Sequence, residues 1–91
     1  MNKTDYYYIM AFDTTTAAMQ AEAYLKDRIS IAVMPVPREI SSGCGLSIRF
    51  QETDEAAIFQ LLHNFPITGT LYKMQTIKVD GLHPIEKLME F

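Results

Sequence analysis

The sequence predicts an α+β fold of element order βαββαβ with a short tail, and three observations predict it. Leu46, Ile48 and Phe50 alternate with Ser47 and Arg49, the period-2 pattern of a half-buried strand. Two stretches, about 17–27 and 53–65, carry apolar residues at helical spacing. Prolines, glycines and an Asp80-Gly81 pair punctuate the chain between such segments. At 91 residues, 48% of them hydrophobic, the chain has enough apolar material for one core and not the composition of a disordered segment.

Residues 6–12 (Tyr6, Tyr7, Tyr8, Ile9, Met10, Ala11, Phe12) are apolar on both parities, as a central strand is, and its open face is expected to carry Tyr6, Tyr8 or their neighbours. Asp13 and Thr14 to Thr16 offer N-caps for a first helix from Ala17 to about Asp27, whose narrow face of Ala17, Ala18, Ala21 and Leu25 allows close approach to a sheet. Ile31 to Met34 reads as a short strand that Pro35 ends or confines to an edge. Val36 to Cys44, with Pro37, two serines and Gly43, reads as a loop, and Gly45 opens the third strand. A second helix is expected from an N-cap at Thr53 to Phe65, with Asp54 and Glu55 favoured in its first turn by the helix dipole. Its buried face is Ala57, Ile58, Leu61, Leu62 and Phe65, and Pro66 stops it. Thr70 to about Lys78 is the last strand of the unit. Pro84 to Phe91 reads as a short terminal helix, with Ile85, Leu88 and Met89 on one side.

That order is the split-βαβ or ferredoxin-like arrangement: a four-stranded antiparallel sheet with two helices on one face. Residues 1–77 are expected to form this one domain, and 78–91 an extension that packs on it or on a partner.

A net charge of −3 with eight dispersed basic residues leaves no electrostatic footprint for nucleic acid or an anionic membrane. No run approaches membrane-spanning length, and the first apolar stretch is too brief for a signal peptide. With one cysteine no internal disulfide is possible, so the expectation is a reduced, cytoplasmic protein, for which a bacterial source fits. One cysteine and two separated histidines, His63 and His83, give no zinc spacing, and neither a metal nor a cofactor is expected. A phosphate loop and a GxSxG nucleophile elbow are both missing from the sequence.

Cys44 is the residue that carries chemistry. In the predicted topology the first crossover is right-handed, so the second strand ends where the first one does. The loop after it, and Cys44 at the start of the third strand, then fall near the first turn of helix one, around Thr14 to Ala17. Free N–H groups and the helix dipole there favour a thiolate over a thiol. Gly43 and Gly45 leave the sulfur unscreened and permit an anion nest of inward N–H groups. Arg38 supplies a positive charge in the same loop, and Ser41 and Ser42 are either hydrogen-bond donors to sulfur or turn formers. Arg49 has the opposite parity to Leu46 and is a weaker partner. The competing reading is that a lone cytosolic cysteine is a small buried hydrophobe.

The block Pro35-Val36-Pro37-Arg38-Glu39-Ile40-Ser41-Ser42-Gly43-Cys44-Gly45-Leu46-Ser47-Ile48-Arg49-Phe50 resembles the selenium/sulfur carrier protein-like family of small bacterial proteins. The Pro-Arg-Glu-Ile-Ser segment and the Cys-Gly pair, followed by Arg-Phe, are the specific part. The likeness extends to Tyr7-Tyr8-Ile9, the Ala-rich first helix and Leu71-Tyr72, covering roughly residues 6 to 75. It implies that Cys44 carries a terminal sulfur or selenium atom, as a persulfide or perselenide, between donor and acceptor proteins. The chain departs from the usual pattern at Gly43, where a serine is common, at Arg28, where glycine is expected, and in its tail. The first change loosens the thiol loop.

Three functions remain open on the sequence. One is the carrier, an accessory protein rather than a self-sufficient enzyme. Another is a non-catalytic interaction or regulatory module, homodimeric through its sheet, that presents the 36–45 loop with Cys44 structural and Pro37, Glu39 and Arg49 as recognition residues. The third is anion binding at the first helix terminus.

Overall fold

In a computed structural model of the chain, residues 6–40, 45–51 and 54–91 are described. The elements run β1 (Tyr6–Ala11), α1 (Thr15–Leu25), β2 (Ile31–Pro35), β3 (Leu46–Phe50), α2 (Glu55–Leu62), β4 (Thr70–Gln75) and β5 (Ile85–Glu90). The fold is α+β, and the βαββαβ order holds. The sheet, however, has five strands, in the order β2-β3-β1-β4-β5, every neighbouring pair antiparallel.

The fifth strand corrects the expected terminal helix. Ile85, Leu88 and Met89 suit a helical stripe, but β4 presents an open edge whose backbone groups demand partners. Residues 85–90 supply them, pairing Thr70 with Glu90 and Met74 with Ile85. The ladder slips between Leu71 and Tyr72, opposite Met89 and Lys87, so Leu88 is the extra residue of a bulge. That slip lets both Leu88 and Met89 pack on the main core, which is why the apolar spacing did not read as a strand.

Both helices cover one face. Tyr8, Met10, Phe12, Ile48, Phe50 and Leu71 from the sheet meet Ala18, Ala21 and Leu25 of α1 and Ile58 and Leu62 of α2. The small-residue face of α1 is as expected, and Thr14 caps it by accepting from the Ala17 N–H at 3.1 Å. The helix ends at Leu25, two residues early. Asp54, not Thr53, is the N-cap of α2, accepting from the Ala56 N–H at 3.1 Å; Thr53 itself lies outside the described residues. That helix stops at Leu62, and Phe65 packs beyond it against Tyr24 and Phe91. Phe59 is half-buried against the same core.

The other face is built from residues of opposite parity. Ile9, Ala11 and Met74 are buried there, with Tyr7, Met34 and Tyr72 around them. Tyr8 is therefore not on an open face: it points at the helices and is 1% exposed. The second face is itself partly closed, because Val36 and Ile40 of the loop after β2 pack onto it, Ile40 at 4% exposure. The sheet surface expected to serve a homodimer is thus occupied in part by the chain itself.

Candidate functional site

The candidate site is the connection from β2 to β3 and what it rests on. Pro35 pairs with Leu46, and the Val36 N–H donates to the Gly45 carbonyl at 3.0 Å, so both ends of the loop are tied together. Ala11 pairs with Ser47. The loop's exit therefore lies at the end of the sheet where β1 passes into the Thr14 cap of α1, as the crossover rule required.

Ser41, Ser42, Gly43 and Cys44 lie outside the described residues, and the readings placed on them stay expectations. Gly45, next to the cysteine, is exposed. A Cβ added there would meet nothing within 4 Å, and its φ is not in the left-handed region. The need for glycine as a backbone turner does not arise at this position.

The described half of the loop turns away from the β2–β3 ladder and onto the second face. The Ile40 N–H donates to the Pro37 carbonyl at 3.0 Å, closing a turn that drives Ile40 onto Ile9, Ala11 and Met74. Pro37 is half-buried under that turn. Arg38 is exposed, and its Nη2 donates to the Gly81 carbonyl at 3.1 Å. Glu39 Oε2 accepts from the His83 N–H at 2.9 Å. That bond, first, and the carboxylate's own backbone N–H, second, hold Glu39 below the usual glutamate pKa, with smaller help from the charges of His83 and Arg38.

Arg49 stands on this second face, as its parity predicted, with its guanidinium 4.1 Å from the centre of the Tyr7 ring. Tyr7 donates its hydroxyl to Met74 Sδ at 2.9 Å. Burial raises its pKa, Arg49 opposes that, and Glu39 adds to it. Ser47, between the strands, is fully buried and donates to the carbonyls of Met34 and Pro35 at 3.3 and 3.4 Å.

Sequence reasoning singled out Arg38, Glu39 and Arg49 but not the approach of Arg38 and Glu39 to the hairpin at Asp80-Gly81. Asp80 and Gly81 both have positive φ, 55° and 84°, the requirement of a tight two-residue hairpin turn. Val79 and Leu82 exchange both hydrogen bonds across it, at 2.7 and 3.1 Å. The Asp-Gly signal for this turn was legible, but its approach to Arg38, 43 residues earlier, had no local signature. Among the described residues, no group of three or more histidine and carboxylate side chains is placed to hold a metal. No described helix is long and apolar enough to cross a membrane.

The family described as "Putative Se/S carrier protein-like" matches residues 7–83, which includes the whole 36–45 loop and the hairpin beneath it. An uncharacterized protein of the archaeon Methanocaldococcus jannaschii is 42% identical over 78 residues, 86% of this chain. The chain spans 39% of that relative's length, and the relative's archaeal source leaves a bacterial origin without support. No solved structure matches the chain. A match over residues 7–83 runs from Tyr7 in β1 through the whole of β4, and on that extent the chain belongs to the Se/S carrier protein-like family.

Proposed function

We propose that the protein is a sulfur or selenium carrier with the Cys44 thiolate as the acceptor atom. The observation that carries this is the family match itself, which runs through the loop holding the chain's one cysteine. Support comes from the exit of that loop at the sheet end where α1 begins, and from the open space at Gly45.

In the step proposed, the Cys44 thiolate attacks the outer sulfur of a donor persulfide. The donor's S–S bond breaks, a new S–S bond forms at Cys44, and the donor leaves as its thiolate. The transferred sulfur keeps its oxidation state, so no external oxidant is consumed. Attack of an acceptor thiolate on the outer sulfur of Cys44 completes delivery by the same exchange. A perselenide donor follows the same balance with selenium in place of the outer sulfur. Donor and acceptor are proteins in this reading, and the chain is a carrier rather than a complete enzyme in the cytoplasm.

The test is the pH dependence of Cys44 alkylation in the reduced protein, read by intact mass, followed by exposure to cysteine persulfide. A midpoint clearly below the ~8.5 of a free cysteine, with a gain of one sulfur that dithiothreitol removes and Cys44→Ser lacks, is the expected result. A midpoint at or above that value, with no sulfur gained, overturns the reading.

A second reading has one observation in its favour. Ile77, Val79 and Leu82 of the hairpin are 65%, 57% and 46% exposed, next to Ile85. Such a cluster fits a protein-contact module. In that case Cys44→Ala retains partner binding and the thiol has ordinary reactivity.

A further inference from the structure

The sheet ends in two edges of opposite character. On one side β5 carries Glu86, Lys87 and Glu90 and is broken by the bulge at Leu88, devices that keep an edge from pairing. On the other side β2 reads Ile31-Ala32-Val33-Met34-Pro35, without an ionised side chain. Its register with β3 is unbroken, and Val33 in its centre is 41% exposed.

The ladder shows which backbone groups of β2 face outward. The Gln51 N–H donates to the Ser30 carbonyl and the Val36 N–H to the Gly45 carbonyl, each at 3.0 Å. Bonded pairs alternate with unbonded ones in an antiparallel ladder, so Ala32 and Met34 also turn their groups to β3. Ile31, Val33 and Pro35 turn theirs to the open edge. Pro35, which has no N–H, thus stands where the β2–β3 ladder loses nothing by it. Among the described residues, no hydrogen bond reaches the outward N–H groups of Ile31 and Val33.

We propose that β2 is a self-association edge, pairing antiparallel with β2 of a second copy of this chain about a two-fold axis at Val33. Each Val33 N–H then donates to the Val33 carbonyl of the other copy. Each Ile31 N–H donates to the opposite Pro35 carbonyl, which Ser47 Oγ approaches only at 3.4 Å. Both outward donors are satisfied, each proline is asked only for its carbonyl, and the Ile31 carbonyl is left to solvent at the rim. Val33 meets Val33 and Ile31 meets Pro35 on one face, while Ala32 meets Met34 on the other. Every cross-strand pair is apolar, so copies of net charge −3 meet with no like charges opposed in the ladder. The contact uses the edge and not the face that Val36 and Ile40 cover, and it is independent of the role of Cys44.

The test uses the full chain in size-exclusion chromatography with light scattering, from micromolar to millimolar protein. The parent is expected to approach the mass of a dimer as concentration rises. Val33→Lys and Val33→Asp each set like charges directly opposite one another, and each is expected to weaken dimerisation at least roughly tenfold. An equimolar mixture of the two restores it, as a heterodimer in native mass spectrometry, because position 33 faces position 33. Circular dichroism checks that both variants are folded.

A parent that stays monomeric throughout overturns the proposal. Dimerisation undiminished in Val33→Lys places the contact elsewhere and overturns it too. Loss in both variants without recovery in the mixture overturns the two-fold axis at Val33. Should the variants not fold, amide hydrogen exchange of the parent decides: the Ile31 and Val33 amides are expected to exchange more slowly as concentration rises, and rates independent of concentration overturn the pairing.

Discussion

The Tyr8 hydroxyl donates a 2.8 Å hydrogen bond to Glu55 Oε1, tying the middle strand of the sheet to the first turn of α2. Burial raises the pKa of Tyr8 well above the ordinary tyrosine value, and the Glu55 carboxylate adds to the rise by hydrogen bond and by charge. The native state thus keeps a proton that the unfolded chain has already lost. Stability from this source is complete below the unfolded value of about 10 and falls as pH rises beyond it. Tyr8→Phe is expected to cost about 1–2 kcal/mol at neutral pH in urea unfolding, and to flatten the alkaline decline. Tyr7, also raised by burial, keeps part of that decline in the variant. An alkaline limb as steep in Tyr8→Phe as in the parent would show that the bond is not made in solution.

Ile40 is the apolar foot of the loop. At 4% exposure, against Ile9, Ala11 and Met74, it is the only loop residue among those described that reaches full burial. Ile40→Ala is expected to lose about 2–4 kcal/mol in urea unfolding, the range for truncating a buried isoleucine. A loss below about 1 kcal/mol would mean that residues 36–40 leave the sheet at little cost, as a locally unfolding segment does.

The parts of the fold legible in the sequence are those set by local periodicity. The alternation of Leu46, Ile48 and Phe50 fixed the face of β3, and the small residues of α1 fixed its packing side. Tyr8 was misplaced because β1 is apolar on both parities, so alternation carries no information there. The tail was misread because a bulge at Leu88 mimics helical spacing, and because the demand of β4 for a partner is a property of the assembled sheet. The candidate site divides in the same way. Arg38 and Glu39 stood out by residue type within a restrained loop, whereas Gly81 and His83 enter through backbone atoms, which no residue identity announces.

Gly69 separates close approach from conformational freedom. A Cβ there would stand 2.7 Å from the Ala11 carbonyl oxygen and 2.8 Å from the Phe91 ring, while the backbone exchanges hydrogen bonds of 3.0 and 2.9 Å with Phe91. The ring is itself packed edge-on against Phe12 and Phe65, and the Ala11 oxygen belongs to a central strand. Gly69→Ala is expected to cost about 1–3 kcal/mol, and Gly45→Ala, with nothing within reach, to stay within about 0.5 kcal/mol of the parent. Equal melting behaviour of the two variants would contradict the tight contact at Gly69.

The acid limb of stability tests the contact between Glu39 and the hairpin. The carboxylate is held below its ordinary pKa by the His83 N–H, then by its own backbone N–H, with Arg38 and the His83 ring as the nearby positive charges. The Tyr7 hydroxyl, on the sheet beneath, also feels Glu39 but stays neutral through this range. A carboxylate with a lowered folded pKa stabilises the native state fully above its unfolded value, about 4.3. It loses that contribution as pH falls through the folded value. Glu39→Gln cannot titrate and keeps an accepting oxygen. Its urea midpoint is therefore expected to fall less steeply than the parent's below about pH 4.3, with little difference between the two near neutrality. Parallel acid limbs would mean that Glu39 meets the same surroundings in the folded and unfolded chains, and that the His83 amide has another partner in solution.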